Sequence, residues 1–109
     1  MEGLLSIIIP SYNEGLLIDN TADVVVDIMT EHKISYEILF VDDGSKDDTW
    51  NRIQEASKKH EHVRGVHFSR NFGKESAITA GLTYAKGDCC DVMDCEIQHT
   101  PINFLEMNK

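Results

Sequence analysis

Two carboxylates and an amide alternate near the end of the chain, in the order Asp94, Glu96 and Gln98. Alternate side chains of an extended chain point the same way, so these three residues would present their oxygen atoms on one side. Hard divalent cations prefer oxygen ligands, and Mg²⁺ is often held by one or two carboxylates plus substrate phosphates. The spacing therefore predicts a metal site. The alternative is a strand that runs out into a solvated acidic loop.

Two more clusters offer groups that could contact a ligand. In the stretch SYNE, the Tyr12 ring is a stacking surface and Glu14 is an acceptor. Ser11 or Asn13 could instead cap the helix that follows. In the stretch DDGS, Asp42 lies closest to an apolar run and could accept a hydrogen bond from a ligand N–H, such as a nucleobase imide. Turn formation and helix capping are the alternative explanation of this second stretch.

A basic turn with the sequence SRNFGK precedes a helical segment. Arg70 and Lys74 lie in it on either side of Gly73. The start of a helix binds anions through its free N–H groups, and a nearby cation strengthens the binding. The pattern therefore suggests an anion site, although ordinary surface charge is the alternative. The chain contains neither of the common glycine-rich phosphate loops.

Apolar runs and helical spacings alternate along the chain. The runs LLSIIIP, YEILFV, VRGVHF and DCCDVMD predict strands, and three segments between them predict helices. The order βαβαβαβ predicts an α/β fold, in which a mainly parallel sheet is covered by helices on both faces. Each polar cluster follows a strand, and ligands of such sheets collect at the carboxyl ends of the strands.

Composition limits the classes of function. The 109 residues suit one domain, and the net charge of −9 argues against a nucleic-acid surface but not against a nucleotide bound through a cation. The odd cysteine count (Cys89, Cys90 and Cys95) predicts reduced thiols. A zinc site that adds His99 to Cys90 and Cys95 would lack a fourth ligand. Neither a signal peptide nor a membrane span is visible, so we expect a soluble, cytoplasmic chain.

Four stretches in the same order, IIIPSYNE, YEILFVDDGSKDDTW, FSRNFGKESAITAGLTYAKGD and VMDCEIQHTP, resemble the family 2 glycosyltransferases of the GT-A fold. The resemblance extends in particular to the dolichol-phosphate and polyprenyl-phosphate hexose synthases. It implies the Rossmann-like half of a GT-A fold. It also implies transfer of a hexose from a UDP- or GDP-sugar to an acceptor such as polyprenyl phosphate, with Mg²⁺ or Mn²⁺ as the cofactor. Such an enzyme would act in cell-envelope biosynthesis, at the cytoplasmic face of the membrane.

The resemblance also implies roles for residues in the first two clusters. Pro10, Tyr12 and Glu14 match the family's first loop, which lines the nucleotide site. Asp42 matches the aspartate that binds the base, and Asp43 lies in the same motif. We therefore expect these five residues to lie around the nucleotide.

The last two clusters match the parts of the family that surround the diphosphate. Arg70 and Lys74 lie in the matching basic turn. Asp94 and Glu96 match the two acids of the D-x-D motif, and Gln98 matches a further metal ligand of the polyprenyl-phosphate branch. Glu96 departs from the usual second aspartate, and its longer reach would shift the position or the affinity of the metal.

Members of that family continue well past the length of this chain, with an acceptor-binding part, the catalytic base and often membrane helices. We therefore expect residues 1–109 to form the nucleotide-sugar-binding part, truncated at its C-terminus and without the base. One alternative is a phospho-accepting, receiver-like signalling domain, although its acidic pair would follow the first strand. Another is an inactive fragment, in which an uncovered sheet edge would favour homo-oligomers.

Overall fold

A computed structural model describes residues 3–95 as an alternating series of strands and helices. The strands are β1 (Leu5–Ser11), β2 (Tyr36–Asp42), β3 (Val63–His67) and β4 (Cys89–Val92). The helices are α1 (Gly15–Glu31), α2 (Thr49–Lys59) and α3 (Lys74–Tyr84). The predicted order of elements is confirmed. Two of the predicted metal ligands, Glu96 and Gln98, lie outside the described residues.

All four strands are parallel, and their order across the sheet is β3-β2-β1-β4. β1 pairs with β2 from Leu5 to Ser11 and with β4 from Leu5 to Ile8. The order reverses between β1 and β4, and open parallel sheets bind ligands outside the carboxyl ends of their strands at such a point. Receiver domains of signalling proteins begin with the order β2-β1-β3 instead, so the topology argues against that alternative.

The sheet is buried on both faces because its two central strands are apolar along most of their length. On one face α1 and α2 cover a core that includes Ile7 and Phe40, and on the other face α3 covers Ile8. Neighbours along β1 point to opposite faces, which is why Ile7 and Ile8 belong to different cores. α3 lies so close to the sheet that a Cβ on Gly81 would be 2.4 Å from Ile8 Cγ2. The predicted two-sided α/β architecture is confirmed.

A buried carboxylate fastens the amino edge of the sheet, the side at which the strands begin. Glu37 Oε2 accepts hydrogen bonds from Ser6 Oγ at 2.5 Å and from the Lys86 N–H at 2.6 Å. Its Oε1 accepts two more from Arg64, whose Nη2 lies at 2.6 Å. Burial acts to raise the pKa of Glu37, but these donors outweigh it and hold the pKa below its usual range. The cluster ties β1, β2, β3 and the segment before β4 together.

Three further expectations concern the cysteines, membrane-spanning helices and the outer strands of the sheet. Cys89 and Cys90 are exposed free thiols on β4, and Cys95 is a buried free thiol. Within residues 3–95, no helix has the length and hydropathy that crossing a membrane requires. β3 and β4 are the outer strands of the sheet as far as the chain is described. Self-association through such a strand stays a prediction.

The substitution Glu37→Gln should lower the free energy of unfolding by about 1–3 kcal/mol at neutral pH, because an amide replaces a buried charged acceptor. The folded-state pKa of Glu37 lies below the unfolded value, so its contribution is complete above the unfolded pKa and is lost as the pH falls through the folded one. The difference between the wild type and the variant in urea unfolding should therefore shrink between about pH 5 and about pH 3.

The matched control is Glu31→Gln, which neutralises an exposed carboxylate at the end of α1. We expect it to change the free energy of unfolding by less than about 0.5 kcal/mol. A Glu37→Gln penalty that stays constant down to about pH 3 would show that the charge of Glu37 does not stabilise the fold.

Candidate functional site

The loops at the carboxyl ends of the four strands lie along one side of the sheet, which we call the carboxyl edge. Residues 12–14 follow β1, residues 43–48 follow β2, residues 68–73 follow β3 and residues 93–95 follow β4. The four predicted clusters fall on these segments, as far as the chain is described. The fold therefore gathers the predicted site residues at the edge where parallel sheets bind ligands.

The loops after β1 and β2 hold each other in place. The Asn13 N–H donates to Ser45 Oγ at 2.8 Å, and Asn13 Oδ1 accepts the N–H of Lys46, also at 2.8 Å. Asn13 has a φ of 52°, in the left-handed region that asparagine enters more readily than most residues. The Glu14 N–H donates to Thr49 Oγ1 at 2.9 Å. The first loop is therefore held by side chains of both loops and of the start of α2.

Asp47 supplies acceptors to the first residues of two helices. Its Oδ2 accepts the N–H of Gly15 in α1 at 3.2 Å, and its Oδ1 accepts the N–H of Thr49 in α2 at 2.9 Å. Desolvation acts to raise the pKa of Asp47, but the hydrogen bonds outweigh it and lower the pKa. Capping of α1 by Ser11 or Asn13 was the alternative to a ligand role for the SYNE stretch. The acceptors come from the following loop instead, because the fold brings the two loops together.

Asp42, the last residue of β2, is completely buried, with 0% exposure. Its Oδ1 accepts the Ser45 N–H at 3.0 Å, and its Oδ2 lies 2.7 Å from His67 Nδ1. The His67 ring stacks on the Trp50 indole, with 4.7 Å between the ring centroids. Both oxygens of the residue predicted to bind a base are therefore already engaged within the protein.

Asp43 is 4% exposed, and its carboxylate fixes the basic turn. Its Oδ1 accepts the Phe72 N–H at 2.8 Å. Its Oδ2 accepts the Gly73 N–H at 3.0 Å and the Asn71 side-chain amide at 3.1 Å. All three donors lie directly before α3. The carboxylate therefore sets the position of the turn that carries both predicted cations.

Gly44 is the point at which the loop after β2 touches the basic turn. Its φ is 71°, a conformation that favours glycine. A Cβ at this position would lie 2.1 Å from the carbonyl carbon of Arg70, so any side chain would push the two loops apart. The Asp-Gly pair, which is a turn signal in the sequence, is therefore also required by the contact between the loops.

The two predicted cations extend from the basic turn in different ways. The Arg70 guanidinium lies over the Phe72 ring, 4.7 Å from its centroid, and Phe72 meets Phe68 edge-on at 5.6 Å. Lys74 Nζ lies 2.8 Å from Asp94 Oδ1, and both side chains are mostly exposed. The structure therefore joins the basic cluster to the acidic cluster through an ion pair.

The chemistry of Asp94 suits a ligand of a cation. Its carboxylate is accessible to solvent, and it already accepts a positive partner in the Lys74 ammonium. Within residues 3–95, no three His, Cys, Asp or Glu side chains are grouped closely enough to hold a metal by themselves. Asp94 is therefore the single predicted metal ligand whose position is described.

The chain directly after Asp94 is anchored on α1. Cys95 is 1% exposed, and its carbonyl oxygen accepts a hydrogen bond from Thr21 Oγ1 at 2.5 Å. Burial raises the pKa of the Cys95 thiol to about 11, so the thiol is protonated at neutral pH. A protonated, buried thiol is a poor nucleophile. Cys95 instead fixes the backbone next to Asp94.

The remaining predicted site residues lie at the end of β1 and just after it. Pro10 is buried in β1 and pairs with Val41, so it contributes apolar packing rather than a polar side chain. Tyr12 is 39% exposed, and its backbone N–H donates to Glu14 Oε1 at 3.2 Å. The aromatic surface predicted for this loop is therefore accessible to a ligand.

His67 and Trp50 were not among the predicted site residues. Alternation along the strands predicts which face each side chain occupies, but not which residues are neighbours. The register of β2 with β3 pairs His67 with Asp42, and α2 then places Trp50 over the imidazole ring. A polar residue at the end of a predicted strand was the signal available for His67.

Relatives match nearly the whole chain at substantial identity. The chain is 44% identical over 102 residues to the uncharacterized glycosyltransferase YkcC of Bacillus subtilis. This match covers 94% of this chain and 32% of that protein. It is 36% identical over 102 residues to an undecaprenyl-phosphate 4-deoxy-4-formamido-L-arabinose transferase of Shewanella sediminis. That match covers 89% of this chain and 30% of that protein. The chain therefore spans about a third of the length of these relatives.

Solved structures share the fold at lower identity. The mannosyltransferase PcManGT from Pyrobaculum calidifontis, in complex with GDP-Man and Mn²⁺, matches with a TM-score of 0.77 at 24% identity, over 87% of this chain and 28% of that chain. The mannosyl-3-phosphoglycerate synthase from Rubrobacter xylanophilus matches with a TM-score of 0.72 at 19% identity, over 90% of this chain and 32% of that chain. Identities this low establish a shared fold and nothing further.

The sequence profile of glycosyl transferase family 2 matches residues 6–107. The match extends across all four polar clusters, and the described strands and loops occur in the order that the resemblance implied. YkcC is named a glycosyltransferase, and PcManGT shares the fold of this chain. The chain belongs to glycosyl transferase family 2.

Proposed function

We propose that this chain binds the nucleotide-sugar donor of a glycosyltransferase, which transfers a hexose from a UDP- or GDP-sugar with Mg²⁺ or Mn²⁺ as its cofactor. The observation that carries the proposal is the ion pair between Lys74 and Asp94. It brings a cation suited to phosphate and a carboxylate suited to metal together at the carboxyl edge. Residues 1–109 would form the nucleotide-sugar-binding part of a longer glycosyltransferase.

The diphosphate of the donor would lie at the start of α3. The N–H groups in the first turn of a helix attract anions, and the helix dipole adds to the attraction. Arg70 and Lys74 bring two positive side chains to the same turn and helix start, on a chain whose net charge is −9. An anionic ligand needs such a local concentration of cations on an otherwise acidic protein.

A divalent cation would be held by Asp94, with Glu96 and Gln98 as the further proposed ligands. When bound, the metal supplies positive charge that neutralises the charge developing on the leaving nucleoside diphosphate. Asp94 would exchange its ion pair with Lys74 for the metal. Lys74 would then be released to reach the diphosphate. Both residues of the ion pair would therefore help to bind the donor, Asp94 through the metal and Lys74 directly.

The nucleoside would extend from the diphosphate toward the end of β2. Tyr12 offers an accessible ring on which a base or ribose can pack. Pro10 and Glu14 line the same loop, and the loops after β1 and β2 are fixed to each other by hydrogen bonds. Asp42 lies at this end of the site, buried behind its partners.

Polyprenyl phosphate is the acceptor class that we propose. Support comes from relatives named undecaprenyl-phosphate transferases, which are 36% and 33% identical to this chain. A phosphate acceptor is already anionic and needs less activation than a hydroxyl group, and we assign no catalytic base within residues 3–95. Such a lipid acceptor would place the reaction at the cytoplasmic face of a membrane.

The substitution Asp94→Ala should abolish metal-dependent nucleotide binding. Even outer-shell partners of metal ligands change metal affinity by about 10–100-fold, so removal of a ligand itself should have an effect at least that large. Calorimetric titration of the chain with UDP and with GDP, each with and without Mn²⁺, measures the affinities.

The matched control is Asp27→Ala, which removes the same charge from an exposed position on α1, away from the carboxyl edge. It should bind nucleotide as the wild type does. If Asp94→Ala also binds as the wild type does, the metal assignment is wrong. A folded wild-type chain that binds neither nucleotide would overturn the donor-site proposal.

The substitution Asp43→Asn should loosen the basic turn. An amide has an NH₂ group in place of one carboxylate oxygen, and that group cannot accept a hydrogen bond from the backbone N–H of Phe72 or Gly73. We expect the free energy of unfolding to fall by about 1–3 kcal/mol. The affinity for pyrophosphate in the presence of Mn²⁺ should fall about fivefold or more, since the cations lose their fixed position. Urea unfolding and calorimetric titration measure the two effects.

The control is Asp88→Asn, at the amino edge, where the Asp88 carboxylate accepts the Leu4 N–H at 2.9 Å. This variant should lose stability but keep its affinity for pyrophosphate. Unchanged pyrophosphate affinity in Asp43→Asn would contradict the positioning role of Asp43.

A further inference from the structure

Thr21 is a buried polar side chain on the apolar face of α1. It is 1% exposed, and the buried residues around it on the helix include Ile18, Ala22 and Val25, which are all apolar. A buried hydroxyl group costs free energy unless it makes a hydrogen bond, so an apolar side chain would serve if packing were the only requirement. The hydroxyl group of Thr21 therefore requires a partner.

That partner is distant in the sequence. Thr21 Oγ1 donates to the carbonyl oxygen of Cys95 at 2.5 Å, across 74 positions of the chain. A threonine in a helix often donates to the carbonyl group four residues earlier, as Thr83 of α3 does with Thr79 at 2.9 Å. Thr21 uses its hydroxyl group for a long-range contact instead. It therefore links α1 to the segment that follows β4.

The contact lies just beyond the part of the chain that the sheet holds. The Met93 N–H, directly after β4, still donates to the Ile8 carbonyl oxygen of β1 at 3.0 Å. Among the described residues after Met93, the bond from Thr21 to Cys95 is the only hydrogen bond to the backbone. One anchor therefore lies on each side of Asp94.

Asp94 extends its side chain into solvent from this anchored segment. The side chain is 70% exposed, and the carboxylate pairs with Lys74 Nζ at 2.8 Å. The Cys95 carbonyl group belongs to the peptide unit that joins Cys95 to Glu96, the second proposed metal ligand. Because a peptide unit is planar, a hydrogen bond to its carbonyl oxygen restricts the orientation of the whole unit. The Thr21 hydroxyl therefore acts on the backbone between two proposed ligands.

We propose that Thr21 is a positioning residue of the metal site, which fixes the backbone between Asp94 and Glu96 through the Cys95 carbonyl group. The inference rests on the proposed function, and it adds a residue of α1 that touches neither the metal nor the nucleotide. Loss of a group that orients metal ligands typically lowers metal affinity by about 10–100-fold. Ligands that are already oriented lose little freedom when the metal binds, and the Thr21 hydroxyl supplies this advantage through the backbone.

The substitution Thr21→Val tests the inference, because valine has the shape of threonine but no hydroxyl group. The wild type and the variant would be titrated calorimetrically with UDP and with GDP over a series of Mn²⁺ concentrations. The Mn²⁺ concentration that produces half of the gain in nucleotide affinity should rise about tenfold or more in the variant. Nucleotide affinity without metal should equal that of the wild type, since the cations of the basic turn are unchanged.

Three further variants separate a role in the metal site from a loss of stability. Thr21→Ser keeps the hydroxyl group and should restore the Mn²⁺ dependence of the wild type. Thr21→Ala removes the hydroxyl group with a smaller side chain that helices readily accept, and it should behave as Thr21→Val does. Asp88→Asn loses a hydrogen bond to the Leu4 N–H at the amino edge, so it should be less stable but keep the Mn²⁺ dependence of the wild type.

The matched control on another helix is Thr83→Val, which removes a hydroxyl group that donates within α3 and should not change the Mn²⁺ dependence. The inference fails if Thr21→Val and Thr21→Ala keep the Mn²⁺ dependence of the wild type, or if Thr21→Ser loses as much as they do. It also fails if Asp88→Asn loses as much, because the effect would then follow from lower stability alone. A folded wild type that binds nucleotide equally well with and without Mn²⁺ would instead overturn the metal site of the proposed function.

Discussion

Two carboxylates are buried at the end of β2, and the rest of the carboxyl edge is arranged to supply them with hydrogen bonds. A buried charge without partners is strongly destabilising, so each oxygen of Asp42 and Asp43 needs a donor. Those donors come from the loop after β2, from β3 and from the basic turn before α3. The acid pair therefore determines where three segments of the chain lie. Gly44 permits this arrangement, since any side chain there would separate the two loops.

This arrangement divides the site between groups that hold the protein together and groups that a ligand can reach. Asp42 and Asp43 of the DDGS stretch are buried and hold neighbouring segments, while their contacts with a nucleotide stay a prediction. The exposed groups include Tyr12, Arg70, Lys74 and Asp94, and each is carried by a segment whose backbone is fixed elsewhere. Fixed loops reduce the entropy that is lost when a ligand binds. The DDGS motif therefore has a structural role in addition to the ligand contacts that it predicts.

The fold was largely predictable because parallel strands that are buried on both faces produce continuous apolar runs, such as the one ending at Pro10. The order β3-β2-β1-β4 was not predictable, since a sequence pattern does not specify which strands are neighbours. For the same reason the contact between Asp42 and His67 was missed, and so was the capping of α1 by Asp47. The position of Asp94 after a strand was predictable, whereas its ion pair with Lys74 depends on the turn that Asp43 holds.

The most direct test of the account is to map nucleotide binding onto the backbone by nuclear magnetic resonance. Amide spectra of the ¹⁵N-labelled chain would be recorded with UDP and with GDP in the presence of Mg²⁺. We predict that the shifts concentrate in residues 12–14, 43–48 and 68–74 and around Asp94, while the amino edge near Glu37 stays unchanged. Shifts confined to the amino edge, or no shifts with either nucleotide, would contradict the claim that the carboxyl edge binds a nucleotide donor.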